Sequence, residues 1–561
     1  MSATGHQKWW RDAVVYQIYV RSFADADGDG IGDLRGITTR IPYISSLGVD
    51  AVWLTPFFPS PQRDHGYDVA DYVDVDPQYG TLADVDDLVA ACHAHGLRLL
   101  ADIVPNHCSS EHRWFRDALA APPGSAARRR FFFRDGRGDD GELPPNNWPA
   151  AFGGSVWTRV ADGQWYLATF TPWQPDFDWS DPAVVADFDD ILRFWLDRGV
   201  DGFRVDAVTH VGKAPGLPDM PPLEDGVAET AAAGHNSYAM YWPSAHDVWR
   251  HWRQTLDAYD REHPGRDVVT VAEAYTARRP DLLMDYVRGD EFHEAFSFDL
   301  MLAPWHAASI HRAIDDTIST LHANGAAVTW TLNNHDTQRS VTRLGRADAT
   351  DPASWTGSNL VYSDAPVDVD RGARRARAAV VLVAALPGSL FVYAGEELGL
   401  PEVLDLPDEA RTDPIFVRTS GREIGRDGCR IPLPWDAESQ TAYGFSARPG
   451  AAPWLPQPDG WGTMSVATQD GEAGSMLTLY RDVLRVRRTL VDDDFEWIFG
   501  AESDVVAFRR GDVTVVVNPT SAPRSVDAEL GSTTLVLSSD PALTWSGVVP
   551  PDAAVWLRGQ H

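Results

Sequence analysis

The sequence predicts an α/β protein: a (β/α)8 TIM barrel with a subdomain inserted after strand 3 and a C-terminal antiparallel β-sandwich domain. Three observations carry this. Short apolar, β-rich runs alternate with helix-like stretches, and eight of them can be counted. One interval between runs is far too long for a loop and a helix. After Leu490 the helical pattern gives way to β alternation between turn residues.

The eight runs, in order, begin "AVVYQIYV" at Ala13, "AVWLTP" at Ala51, "RLLADIVPN" at Arg98 and "GFRVDAV" at Gly202. They continue with "VVTVAEA" at Val268, "EAFSFDL" at Glu294, "AVTWTLNN" at Ala327 and "GSLFVYAGEEL" at Gly388. Stretches such as "LADVDDLVAACHAHG" and "DFDDILRFWLDRG" supply helices between them. About ninety residues separate the third run from the fourth, and the part from Cys108 to Gln174 is rich in Gly, Pro, Trp and Phe. A separate subdomain over the barrel mouth accounts for that length, and long intervals after strands four and eight suggest further lids. The helix "MLTLYRDVLRVRRTL" closes the barrel, and "VVAFRRG", "DVTVVVNP" and "TTLVLS" follow as strands. The expected divisions are residues 9–107 and 176–490 for the barrel, 108–175 for the insert and 491–561 for the C-terminal domain.

Composition narrows the function. A net charge of −33 over 561 residues repels phosphate backbones and anionic lipid, so neither nucleic acid nor membrane is expected as a partner. Three cysteines without metal-ligand spacing argue against a disulfide framework and for a reducing, cytoplasmic setting. The N-terminal residues show no apolar signal-peptide core. The apolar stretch from Ala378 is broken by Pro387-Gly388, which suits a helix, a turn and a buried strand. The 22 Trp and 16 Tyr offer flat faces with polar edges, which suits either sugar binding or simply a large core. A monomer or homodimer acting on a small molecule is expected.

Reactive groups of such a barrel sit at the C-terminal ends of its strands. Asp102 and His107 end strand three, Arg204 and Asp206 strand four, Glu273 strand five, and His335 and Asp336 follow strand seven. Arg204 and Asp206 are two apart and share a face, with Phe203 and Val205 turned to the helices. Arg204 is expected to favour the ionised Asp206, as a nucleophile requires, although an internal ion pair that braces the barrel reads equally from these residues. The apolar setting of Glu273 in "VTVAEAY" is expected to raise its pKa, as a general acid requires. Two such carboxylates can cleave a glycosidic bond with retention, and a third can stabilise the oxocarbenium-like transition state.

The motifs "DIVPNH", "GFRVD", "AEA" and "NNHD" occur in the order and spacing of the α-amylase family of glycoside hydrolases. With "WWRDAVVYQIYVRSF", "GYDVADY", "QPDFDW" and "RDGCRIPLPW", the chain resembles the oligo-1,6-glucosidase and α-glucosidase branch from about Trp9 to its end, and actinobacterial α-glucosidases in particular. The resemblance implies Asp206 as nucleophile, Glu273 as acid/base and Asp336 as transition-state stabiliser. It implies that His107, Arg204 and His335 hold the reacting glucose, with Tyr67 stacking on it. Asp68 and Arg430 are implied as a pair that grips the terminal hydroxyls and makes cleavage exo-acting, with Phe152 and Phe170 as pocket walls.

The stretch "DADGDGIGDLRG" has EF-hand spacing through Asp25, Asp27, Asp29, Ile31 and Asp33, but Gly36 stands where a bidentate Glu is needed. The resemblance implies a structural Ca2+, or Mg2+, held by Asp25, Asp27, Asp29, the Ile31 carbonyl and Asp33, and no organic cofactor. In relatives the residue after the nucleophile is Thr with α-1,4 and Val with α-1,6 cleavage. Here it is Ala207, and the expectation leans to maltose-type α-1,4 substrates, with sucrose accepted and transglucosylation accompanying hydrolysis. An oligo-1,6-glucosidase and a sucrose isomerase stay open. A non-catalytic transporter partner is disfavoured by the three carboxylates and the want of an anchor.

Overall fold

The computed structural model describes residues 8–223, 229–276, 279–321, 325–351, 365–490, 494–526 and 530–559. Eight parallel strands close a barrel: Val14–Ile18, Ala51–Leu54, Arg98–Ile103, Gly202–Val205, Val269–Ala272, Glu294–Ser297, Thr329–Thr331 and Ser389–Tyr393. The last pairs with the first, Val14 opposite Leu390 and Gln17 opposite Tyr393. Each strand falls in one of the eight predicted runs. They are legible because both faces of a parallel barrel are covered, so the strands are rich in apolar and β-branched residues.

Parity along each strand divides the core. Val15, Trp53, Leu100, Val271, Phe296 and Phe391 pack together inside the barrel. Tyr16, Val52, Leu99, Ala101, Phe203 and Val205 face the surrounding helices. Arg204, between Phe203 and Val205, therefore points inward, and it pairs in register with Asp102. Helix Pro182–Asp197 begins at an Asp181 cap and buries Val184, Phe188, Ile191, Leu192, Trp195 and Leu196 against the strands.

Between the third and fourth barrel strands lie helices Arg113–Ala120 and Ala126–Arg129 and an antiparallel sheet of Phe133–Asp135, Gln164–Leu167 and Trp157–Arg159. At the C-terminal end, Phe495–Trp497, Val506–Arg510, Val513–Asn518, Ala553–Gly559 and Thr533–Ser538 form one antiparallel sheet. Arg524–Ser525 and Val548–Val549 form a second, smaller one. The boundary expected at residue 491 lies outside the described residues. This unit is fastened to the barrel helix Val369–Val383: Trp556 donates to the Val381 carbonyl at 2.8 Å, and Arg375 pairs with Asp552 at 2.8 Å. Among the described residues no helix is long and apolar enough to cross a membrane.

Candidate active site

At the C-terminal end of the barrel one guanidinium organises three carboxylates. Arg204 Nη1 donates to both oxygens of Asp102, at 2.9 and 3.0 Å, and to Asp206 Oδ1 at 2.7 Å. Its Nη2 meets Glu273 Oε1 at 2.6 Å. The Arg204 side chain is 1% exposed and Asp102 0%, while Asp206 and Glu273 keep 11% and 10%, so these two alone of the cluster reach the opening. The other Glu273 oxygen accepts the Ala207 amide at 3.0 Å. Ala207 adopts φ 47°, the left-handed conformation, which turns the chain sharply just after Asp206.

The expectation that Arg204 keeps Asp206 ionised needs correction. Burial pushes Asp206 well above the usual carboxylate range, and Glu273 and Asp102 push it further; Arg204 opposes them but is shared three ways. Burial likewise moves Asp102 up to about 7. Glu273 is buried, but beside the guanidinium, 2.6 Å away, and not in purely apolar surroundings.

A hydrogen-bonded path joins this cluster to Asp336. Tyr67 Oη donates to Asp102 at 3.1 Å and lies 2.7 Å from His335 Nε2, and the Tyr67 and His335 rings stack at 5.4 Å. Gln17 donates to His335 Nδ1 at 2.7 Å, which assigns the ring proton to Nε2, facing Tyr67 Oη and Asp336 Oδ2. Burial holds His335 well below its usual pKa, so the ring is neutral. Asp336 is different. Against the cost of burial, the His335 Nε2–H that faces it and the charges of Arg426 and Arg430 hold it below the usual carboxylate range. Arg426 reaches its Oδ1 at 2.9 Å and Arg430 at 2.8 Å.

His107 lines the same space, its Nε2 3.2 Å from the Tyr67 carbonyl and 3.1 Å from Gln174 Nε2, and burial lowers it to about 4. Phe170 packs against the His107 ring at 5.0 Å and against Phe152 at 5.6 Å. Arg426 sits over the Phe152 ring at 5.0 Å. The two predicted aromatic walls and the histidine thus form one side of the site.

The predicted Asp68–Arg430 pair is not what the fold assembles. Asp68 is wholly buried, and its oxygens accept from Ser60 Oγ at 2.8 Å, the Arg63 amide at 3.1 Å and the Asp64 amide at 3.0 Å. It fastens its own loop. Arg430 donates to Asp336 and to the His335 carbonyl at 2.8 Å. The acid and arginine that meet are Asp64 and Arg426, at 2.9 Å, with Arg426 also held by Asp413 at 2.6 Å. Asp64 stands four residues before Asp68, just ahead of the quoted "GYDVADY", and Arg426 opens the quoted "RDGCR", four residues before Arg430. Cys429, between the two arginines, donates to the carbonyls of His335 at 3.2 Å and Arg426 at 3.1 Å and ties both segments together.

In the acidic loop, oxygens of Asp25, Asp27 and Asp29 lie within 4.8 Å of one another. Burial raises Asp29, and Asp27 and Asp25 beside it add to the rise. A hard divalent cation fits such a carboxylate set. Asp33 is not among the three. Its Oδ1 caps the following helix by accepting the Gly36 amide at 2.7 Å, and its Oδ2 accepts the Ala26 and Asp27 amides at 2.7 and 3.2 Å. Gly36 is explained by the same geometry, since a Cβ there would stand 2.1 Å from the Ala24 carbonyl oxygen.

A model of the alpha-amylase catalytic domain matches residues 17–493. The chain belongs to the alpha-amylase family. Maltase 1 of Drosophila virilis is 34% identical over 546 residues, covering 92% of this chain and 80% of the relative. A probable alpha-glucosidase of Rhizobium meliloti (strain 1021) is 37% identical over 502 residues, covering 86% and 82%. Among solved structures, the alpha-glucosyl transfer enzyme XgtA superposes with a TM-score of 0.84 at 32% identity, covering 99% of this chain and 100% of that one. The chain is therefore an enzyme of the glycoside hydrolase kind, in the oligo-1,6-glucosidase and α-glucosidase branch of the alpha-amylase family.

Proposed function

We propose that this enzyme is an exo-acting, retaining α-glucosidase that releases glucose from the non-reducing end of short α-glucosides. The observation that carries the reading is the fork of Arg204, whose two terminal nitrogens hold Asp206 at 2.7 Å and Glu273 at 2.6 Å. Carboxyl groups held by neighbouring nitrogens of one guanidinium stand close. Such closeness favours the separation of about 5–5.5 Å used in direct displacement over the roughly 6.5–9.5 Å that leaves room for a water.

In the proposed reaction an Asp206 oxygen attacks the anomeric carbon as Glu273 gives its proton to the departing glycosidic oxygen. A covalent glucosyl ester forms and the aglycone leaves as an alcohol. Glu273 then takes a proton from an incoming water, whose oxygen displaces Asp206 and frees glucose with its original configuration. Asp336, kept anionic by its arginines, faces the positive charge that develops on the ring. A sugar hydroxyl in place of water gives a new glucoside, and the name of XgtA supports that second outcome.

The Asp64–Arg426 pair beside Phe152 supports a pocket closed behind one sugar, hence exo action. The names of the maltase and alpha-glucosidase relatives support maltose-type substrates, which we take as α-1,4-linked, and sucrose is proposed as a further substrate. The small Ala207 next to Asp206 leaves room for the leaving sugar. Asp25, Asp27 and Asp29, with the Ile31 carbonyl and Asp33, would hold Ca2+, or Mg2+, which braces the first loop and takes no part in the chemistry. The buried, unbridged Cys92, Cys108 and Cys429 support a cytoplasmic location. The test is a product profile over time with maltose, isomaltose, sucrose and a long maltodextrin. Glucose released mainly from maltose is expected. Preferential cleavage of isomaltose, or conversion of sucrose into an isomeric disaccharide, would overturn the assignment.

A further inference from the structure

Away from Asp206, a cavity of about 590 Å3 opens between the inserted sheet and the segment after the fourth barrel strand. That volume lies in the range of about 300–1,000 Å3 usual for small-ligand sites. Its lining is neither apolar nor of one charge. Trp242 is half-buried and, among the described residues, has no ring partner and no hydrogen bond from its indole nitrogen. An indole with a free edge and face can offer a ligand both a hydrogen-bond donor and a flat apolar surface. Asp178 commits one oxygen, Oδ1, to the Ser180 amide and hydroxyl at 3.1 and 2.6 Å. Ser244, on the opposite wall, is exposed.

The charges select the ligand class. Arg134 is the exposed cation of the lining; Asp247 is neutralised by Arg250 at 2.5 Å, which leaves Asp178 to balance Arg134. Lys213 is 2% exposed and is neutralised by Asp176 at 2.9 Å. An anion would meet no net positive charge here, and a hydrocarbon would strand the carboxylates and hydroxyls. A neutral polyhydroxylated molecule with an apolar face satisfies both. We propose that this cavity is a second carbohydrate-binding site, separate from the Asp206 pocket, that takes a neutral α-gluco-oligosaccharide across Trp242. The choice of sugar rests on the glucosidase reading; the site itself rests on the cavity.

The two sites share a wall. The segment from Ala207, whose amide holds Glu273, runs on to Val211, Lys213 and Leu217, which line the cavity. Lys213 also donates to the His210 carbonyl and to Asn106, whose side chain reaches His107 at 3.2 Å. A sugar in the cavity would therefore rest against the segment that positions Glu273.

The test is calorimetric titration of full-length Asp206→Asn, used to stop turnover, with maltotriose. A binding event that Trp242→Ala weakens ~10-fold or more is expected, as for a buried aromatic contact. Ser244→Tyr, at an exposed position that fills the cavity, should weaken the same event and serves where Trp242→Ala does not fold. In the otherwise wild-type chain, Trp242→Ala should leave initial hydrolysis of maltose within about 2-fold. Maltotriose binding indifferent to both substitutions overturns the proposal, as does displacement of the event by inorganic phosphate. Hydrolysis by the wild type is read separately, so failure of the glucosidase reading is distinguishable from failure of the second site.

Discussion

Replacing Asp64 by Asn separates sugar gripping from folding. In the fold Asp64 Oδ1 accepts from Arg426 at 2.9 Å and Oδ2 from Gln174 at 2.9 Å. Asn keeps the shape but holds one acceptor, so its amide oxygen stays with Arg426 and its NH2 faces the Gln174 donor. One hydrogen bond is lost, a stability cost of about 1–2 kcal/mol. Two effects soften it. Burial raises the Asp64 pKa, so the carboxylate already sits there at a desolvation cost. Arg426 keeps Asp413 at 2.6 Å and Asp336 at 2.9 Å, so no guanidinium is stranded. The melting temperature should fall by at most a few degrees. Substrate should lose more. A charged hydrogen bond to a sugar hydroxyl contributes about 1.5–3 kcal/mol, and a reoriented Arg426 weakens a second. A loss of ~3–4 kcal/mol is a fall in kcat/KM for maltose of roughly 10²–10³-fold at 1.36 kcal/mol per decade. Initial-rate kinetics on maltose beside a thermal melt decide it. Maltose kcat/KM within about 3-fold of wild type, with the fold intact, would show that the Asp64–Arg426 pair does not hold the substrate.

Asp206→Asn should abolish hydrolysis by roughly 10⁴-fold or more and yet raise thermal stability at pH 7, as melts between pH 4 and 8 will show. The folded-state value of Asp206 is raised, so its ionisation costs stability as pH climbs past the unfolded value of about 3.9. The gain from Asn should shrink towards zero near pH 4. Removing divalent cations with a chelator should lower the melting temperature by a few degrees, with Ca2+ restoring it and Asp27→Ala abolishing the effect. Gly36→Ala should destabilise by about 1–3 kcal/mol in chemical denaturation, because its methyl carbon would stand 2.1 Å from the Ala24 carbonyl oxygen and must push the helix off the loop.

What the sequence disclosed follows from where periodicity operates. The barrel strands could be read because burial on both faces keeps them rich in apolar and β-branched residues, and Arg204 stood out as a buried charge between Phe203 and Val205. Strand parity then placed Arg204 and Asp206 on the lumen side. In irregular loops no such rule holds. "RDHGYD" contains two aspartates and "RDGCR" two arginines, and which of each turns inward is settled by backbone bonds such as the Arg63 and Asp64 amides to Asp68. The Asp33 cap is legible from its place before a helix, but ligand spacing and capping compete for the same residue. The sharing of Arg204 among three acids needed the register of strands far apart in the chain.

That sharing has a consequence for what the pocket is made to receive. Three acids around a single guanidinium leave the cleft short of positive charge before anything enters. An empty cleft of this kind must borrow a proton or tolerate repulsion. A guest that turns cationic only midway through its reaction would cancel the shortfall at that moment and at no other. The vacancy is electrical before it is steric, and neutral sugars at rest gain little from it.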